Sequence, residues 1–354
     1  MKKLCVIFGG NSCEHDVSVI TGMQLAKNLS SIEKIYYSRD GKFFLATKVN
    51  DVSYFAVNET LRLKEVIFFA GAVYAKGFTF KKLFDIECVI NCCHGGFGEG
   101  GELSAFFHVN GIRTTAPNSL SAHVAMDKDL CKTILKGVAP TVKGLKVTKQ
   151  NYDKAINQIE KKFSNALIVK PNSLGSSIGV KACDKTNYQD QILAIFELND
   201  DALVEERIED LVEYNQACYT TKEGLVLSCI EQPISKHEFL TFDDKYNSGG
   251  TKFKDRIIPA EISPELEDEI IGLTGAIYEK LNMDGVVRID YLFDKTNNKL
   301  YFNEINTIPG SMAFYLFEPL GIDYITLIDN LVENASKPKQ FINLDTNILT
   351  HKKI

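Results

Sequence analysis

No apolar run in this chain approaches the roughly 20 residues that a membrane-spanning helix needs, so no membrane partner is expected. A basic excess is missing as well: 40 Lys and Arg stand against 46 Asp and Glu, a formal net charge of −6. That balance gives no global field to attract nucleic acid. Nine cysteines are present but no CxxC pair, and several sit in apolar stretches such as Ile90-Asn91-Cys92-Cys93. They read as reduced, mostly buried thiols of a cytoplasmic protein and offer no zinc site. The start, Met1-Lys2-Lys3-Leu4-Cys5-Val6-Ile7-Phe8-Gly9-Gly10, resembles a signal peptide only superficially. Its apolar stretch is too short and runs into Gly-Gly as a strand-to-helix turn would. Internal repeats, low-complexity tracts and long charged tails are also absent from the pattern.

What remains is the composition of a folded protein, 45% hydrophobic over 354 residues. That length suggests two or three domains. The first unit, residues 1–115, reads as a small α/β domain. It has a strand at Leu4–Phe8, a turn at Gly9–Asn11, an amphipathic helix at Val17–Leu29, and a buried strand at Val89–Cys93 that ends in His94-Gly95-Gly96. Strand, glycine turn and helix predict a parallel sheet with binding groups at the strands' carboxyl ends. A central unit, 116–208, opens with a helical pattern over Ser119–Leu135. It continues with strands at Ala166–Pro171 and Ala202–Glu206. The last unit, 209–354, is a larger α/β region closed by a helix over Asp323–Asn334.

Two adjacent strands in that last unit carry the most chemistry. Gly285–Phe293 is β-branched and aromatic, and Lys299–Asn306 follows a polar turn. Side chains alternate along a strand, so Arg288 and Asp290 share a face, as do Glu304 and Asn306. If the strands pair, Asp290, Glu304 and Asn306 converge beside Arg288. An all-oxygen set of this kind suits Mg²⁺, which usually also takes phosphate oxygens from a substrate. The same residues also fit two ordinary strands with polar outward faces.

Phosphate chemistry is suggested at Lys170-Pro171-Asn172-Ser173-Leu174-Gly175-Ser176-Ser177-Ile178-Gly179. Small residues let backbone N–H groups approach phosphate oxygens, and Lys170 supplies charge. The lysine precedes the glycines, unlike a P-loop. A Gly/Ser hairpin turn fits the segment nearly as well. Lys128 is a second candidate cation or a solvated helix lysine. Glu205 and Glu206 end an apolar strand and either accept hydrogen bonds from a base or ribose or face solvent.

Taken in order, these segments resemble the ATP-grasp superfamily and, closely, its D-alanine–D-alanine ligase family. Gly9-Gly10-Asn11-Ser12-Cys13-Glu14-His15-Asp16-Val17-Ser18 is similar to GGxSxExxVS, and His94-Gly95-Gly96-Phe97-Gly98-Glu99-Gly100-Gly101 to HGxxGEDG. Met126-Asp127-Lys128 matches MDK, and Lys170 to Gly179 matches KPxxxGSSxG. Asp244-Lys245-Tyr246 matches the mobile-loop KY, while Arg288-Ile289-Asp290 and Glu304–Gly310 match RxD and ExNTxPG.

The resemblance covers nearly the whole chain. It implies a three-domain α/β ATP-grasp fold, α+β in its nucleotide-binding part, with an N-terminal parallel-sheet domain ahead of it. The implied reaction joins two D-alanines through a D-alanyl phosphate for peptidoglycan precursor synthesis in the cytoplasm. ATP and two Mg²⁺ (or Mn²⁺) ions are the implied cofactors, and a homodimer through the N-terminal helix is expected by analogy. Lys128, Lys170 and the Gly175-Ser176-Ser177 backbone would hold phosphates. Glu205, Glu206 and Glu213 would meet adenine and ribose, with Lys245 on the lid over the nucleotide. Asp290, Glu304 and Asn306 would bind the metal ions. Glu14 would take the first D-alanine's ammonium, and His94 would lie near its carboxylate. Ser176 and Tyr246 would complete a hydrogen-bonded group, and Arg288 and the Gly310 N–H would stabilise oxyanion charge. Tyr315 and Leu316 would border the second substrate.

The chain departs from the family pattern at four places. Gly100 stands for an Asp, Leu174 for a Glu, and Glu209–Glu213 is one residue longer than usual. Tyr315 replaces a Ser that helps fix the second substrate's carboxylate, which reshapes that pocket and leaves D-serine or another small amino acid as the alternative acceptor. Tyr246, where hydroxyl-using relatives often carry Phe, favours an amine nucleophile. The stretch Lys236–Arg256 has the composition of a mobile lid.

Overall fold

A computed structural model describes residues 2–29, 31–57, 62–234 and 256–338. Its first sheet is a closed ring of six strands: β1 Lys3–Gly9, β2 Glu33–Tyr37, β3 Phe43–Leu45, β4 Lys64–Phe69, β5 Ala72–Ala75 and β6 Lys81–Asn91. β1 runs parallel to β2 and β6, as its glycine turn and following helix predict. The short strands β3, β4 and β5 add an antiparallel run that closes the ring. Alternate residues of β1 serve two cores. Cys5 and Ile7 pack with Val89, Phe107 and Ile112. Val6 and Phe8 join a second core that includes Ala217, Tyr219, Leu316 and Leu327. The ring is thereby fastened to the C-terminal part of the chain.

Four strands form the second sheet in the order β7-β10-β8-β9, with β7 Gly144–Val147, β8 Leu167–Pro171, β9 Lys181–Cys183 and β10 Ala202–Glu206. The helices Tyr152–Lys162 and Tyr188–Glu197 bury Ile159, Ile192 and Ile195 against it. The third sheet has the order β13-β12-β11-β14-β15: β11 Leu211–Thr221, β12 Gly224–Pro233, β13 Arg256–Ile257, β14 Val287–Asp294 and β15 Lys299–Asn306. One of its faces is apolar, with Val287, Ile289, Tyr291, Phe302 and Ile305 packed under the helix Pro264–Lys280.

The stretch predicted as one helix over Ser119–Leu135 is two, Ser119–Met126 and Lys128–Ile134. Asp127 stands between them with extended backbone, and its carboxylate accepts from Leu130 N at 2.9 Å. A side-chain N-cap of this kind starts a new helix with the orphan donors satisfied. Both helices share the core of the five-stranded sheet rather than that of the four-stranded sheet. The closing helix runs Tyr324–Glu333, capped by Asp323 accepting from Thr326 N at 2.8 Å.

Candidate active site

The cleft between the second and third sheets is lined by Lys128, Lys170, Gly175, Ser177, Glu205, Glu206, Glu213, Asp290, Asn303 and Glu304, among others. Seven of the ten are held on strands, so sheet geometry fixes them. Lys170, near the end of β8, reaches Glu205 at 2.7 Å and the side-chain oxygen of Asn303 at 2.9 Å. Lys128, the first residue of its helix, donates to the Leu174 carbonyl at 2.8 Å and pairs with Glu304 at 3.3 Å. Both lysines are buried, so each holds a charge out of water and requires an anion opposite it.

Glu205 is buried on β10, where Lys132 and Lys170 engage its two oxygens. Burial opposes its charge, but the two lysines prevail and hold its carboxyl down at about 2. Lys132 is pushed down to about 8 by burial, against the opposing pull of Glu205. A carboxylate committed to two cations supports Lys170, and Glu205 also lines the cleft. Lys132 escaped the sequence reading. Its signal is the spacing from Lys128, one helical turn along, which puts both lysines on one face. Glu206 is held by Lys143 at 2.8 Å and by Ser164 N at 3.1 Å at the cleft margin.

Glu14 is buried at the start of the helix His15–Asn28, beside Gly175 of the cleft lining. Ser176 donates to its Oε1, and Oε2 is buried with no hydrogen-bond partner. An unpartnered buried carboxylate oxygen is costly unless a donor arrives to meet it. Two glycines pack closely against it. A Cβ on Gly95 would stand 2.6 Å from that oxygen, and one on Gly175 would stand 3.0 Å away. His94 is buried nearby, its Nε2 3.0 Å from Thr21 Oγ1. Burial pushes its imidazole below the ordinary value, with Glu14 pulling the other way. Glu99, quoted in its motif but given no role, ties this group together. Its oxygens accept from Gly95 N at 2.9 Å and Thr307 N at 3.1 Å. Burial, then Glu14, pushes its carboxyl up to about 7.

Asp290 and Glu304 face one another across β14 and β15, and Arg288 faces Asn306. Arg288 grips Asp290 with two bonds of 2.7 and 2.8 Å, and Asn306 donates to Asp290 at 3.0 Å. The register slips between Asp290 and Tyr291, so that Asp290 opposes Glu304 while Tyr291 opposes Phe302. A bulge of this kind gives one strand an extra residue. Asn303 and Glu304 therefore both line the cleft although they are consecutive. Strict alternation would have sent Asn303 to the far face, which is why it was missed.

Lys245 and Tyr246 lie outside the described residues. Leu316, expected beside the second substrate, is instead fully buried in the apolar core with Phe317 and Leu327. Gly310 begins a short 3₁₀ segment, Gly310–Leu316, where a Cβ would meet nothing within 4 Å. Tyr315, on the same segment, is packed against Glu231 and Arg256. Gly100 has a Cβ position 2.8 Å from Glu102 Oε2, and Leu174 contributes its carbonyl to Lys128.

Two family models match the sequence, "D-ala D-ala ligase N-terminus" over residues 3–117 and "D-ala D-ala ligase C-terminus" over 139–333. The chain belongs to the D-alanine–D-alanine ligase family. It is 32% identical to a D-alanine–D-alanine ligase of Thermosipho melanesiensis, over 99% of each chain. The solved structure of a D-alanine–D-alanine ligase from Helicobacter pylori covers 96% of this chain and is itself covered entirely, with TM-score 0.80 and 27% identity. A D-Ala:D-Ser ligase structure from Enterococcus faecalis covers 94% of the chain and is itself 98% covered, with TM-score 0.80 and 24% identity. At that identity it shows the fold alone. The fold is the α/β ATP-grasp arrangement, and family membership makes the protein an ATP-dependent ligase.

Proposed function

We propose that the cleft joins two D-alanines at the expense of ATP through a D-alanyl phosphate, supplying a peptidoglycan precursor in the cytoplasm. The observation that carries this reading is the unpartnered, buried Glu14 Oε2, beside Gly175 of a cleft that also holds two buried lysines. An amino acid seated there offers its ammonium to Glu14 and turns its carboxylate toward Lys128 and Lys170.

A carboxylate is a poor electrophile, and phosphorylation gives it a good leaving group. Phosphoryl transfer depends on positioning and charge neutralisation more than on covalent help. Lys128 and Lys170 hold the phosphates, and the Gly175-Ser176-Ser177 turn covers them. Glu213 and Glu206 border the nucleoside end. Asp290, Glu304 and the amide oxygen of Asn306 fit magnesium, because two opposed carboxylates and an amide form a hard-oxygen set. Arg288 and Lys128 also pair with those carboxylates. Magnesium, when bound there, neutralises phosphate charge. The amine of the second amino acid then attacks, and Arg288 with the Gly310 N–H steadies the tetrahedral oxyanion. Lys245 and Tyr246 belong to a lid that keeps water from the acyl phosphate. The chain is read as three units, 1–115, 116–208 and 209–354, and as a homodimer.

The acceptor is D-alanine rather than D-serine. Relatives 31–32% identical over nearly the full chain are named for D-alanine, and the D-serine likeness carries only the fold. The test is ADP release with ATP, Mg²⁺ and a panel of D- and L-amino acids. D-alanine alone should support turnover and yield the dipeptide. Release that needs a mixture, or that D-alanine fails to trigger, sinks the assignment.

A further inference from the structure

A second charged cluster lies beyond Arg288 and takes no part in the steps above. Glu231 of β12 is buried, with 2% of its surface exposed. Its Oε1 accepts from Arg256 at 2.9 Å. Its Oε2 accepts from Tyr315 Oη at 3.3 Å and Asn215 Nδ2 at 3.2 Å. The Arg256 guanidinium lies 4.6 Å from the Tyr315 ring centroid, a cation–π distance. Tyr315 is folded onto this group by a turn in which Ser311, Met312 and Ala313 all have φ between 51° and 56°. Three successive non-glycine residues in the left-handed region are strained, and such strain gathers at ligand sites.

The donor arithmetic is specific. Tyr315 has one O–H, and Glu231 already accepts it. Arg288 is committed to Asp290 by two bonds. Arg256 has five N–H donors, gives one to Glu231, and keeps its side chain 37% exposed. The acceptor amino acid brings a carboxylate that the reaction leaves unchanged, and seating it needs a cation. Resting on the ligase reading, we propose that Arg256 binds the carboxylate of the second amino acid, with Glu231 and Tyr315 holding its guanidinium in place.

Hydroxylamine separates this from every other role, since it intercepts the D-alanyl phosphate and has no carboxylate. With ATP, Mg²⁺ and D-alanine, Arg256→Met should form D-alanyl hydroxamate within twofold of the wild-type rate. Its KM for acceptor D-alanine should rise about 10- to 150-fold, the range for a lost hydrogen bond to a charged group. KM for donor D-alanine and for ATP should stay within twofold, and Arg256→Lys should recover part of the acceptor KM. An unchanged acceptor KM, a parallel fall in hydroxamate and dipeptide, or a lysine variant no better than methionine overturns the proposal. Absence of hydroxamate from the wild-type protein overturns the ligase reading itself and this assignment with it.

Discussion

At the scale of single residues, the site works by leaving chosen groups short of partners. Glu14 keeps a buried oxygen without a donor, which on the proposed reading a substrate ammonium completes. Glu14→Gln removes a charge-assisted bond worth about 1.5–3 kcal/mol. Its KM for donor D-alanine should therefore rise about tenfold or more, with ATP affinity unchanged; an equal loss of both would show that Glu14 supports the fold instead. Lys132 acts one step back. It shares Glu205 with Lys170, so Lys132→Met leaves Glu205 to pull on Lys170 alone. Breaking a buried pair costs about 3–5 kcal/mol, so the melting temperature should fall and KM for ATP should rise, with Lys132→Arg recovering both. Lys128 and Lys170 were readable as candidate cations from their own segments, whereas the role expected of Glu14 came only from the family resemblance. Lys132 was not readable, since a lysine one turn along a helix is ordinary until a carboxylate from another strand meets it.

Elements add constraints that no single residue states. The short helix Gly96–Glu99 sits so close to the end of β6 that a Cβ on Gly98 would stand 2.2 Å from the Cys93 carbonyl oxygen. Gly98→Ala should cost about 1–3 kcal/mol by overpacking and should lower kcat by shifting Glu99 and His94. Wild-type urea midpoints and turnover would expose the idea if the variant changed neither. Glu99 also sets a pH dependence. Its folded pKa, about 7, lies above the ordinary 4.5, so the folded state holds the extra proton between those values. Its contribution to stability is thus greatest below about pH 4.5 and declines as pH rises toward 7. The total is about 3 kcal/mol at about 1.4 kcal/mol per pKa unit. Urea unfolding of wild type and Glu99→Gln from pH 4.5 to 8 measures it as the difference, and a gap that widened in favour of wild type with rising pH would refute it. The bulge at Asn303 belongs to this scale too. The alternation rule placed Asp290 and Glu304 correctly and failed one residue away, where the ladder slips.

Across the whole molecule, distant segments close on one another. Arg113 donates to the carbonyls of Val332 at 2.7 Å and Glu333 at 3.0 Å, at the C-terminal end of the closing helix. Thr114 and Ser336 form a bridge beside it. A cation at a helix C-terminus adds about 0.3–2 kcal/mol, so Arg113→Ala should destabilise by that order and quicken amide exchange in Tyr324–Glu333 without changing KM for ATP. Exchange unchanged in that helix would show that the packing of Leu327 and Leu331 alone secures it. The core that takes Leu316 from the expected substrate pocket also joins Val6 and Phe8 of β1 to Tyr219 of β11.

Local chemistry written in the chain by itself determined candidate metal and phosphate groups, and the ordered motifs, through their resemblance to a known family, determined the reaction class. Tertiary packing alone decided the partners, because Glu205 meets Lys132, Glu99 meets Thr307, and Arg256 meets Tyr315 across separations that no periodicity spans. A side chain's type fixes what it can donate or accept, but its neighbours fix whether that capacity is already spent.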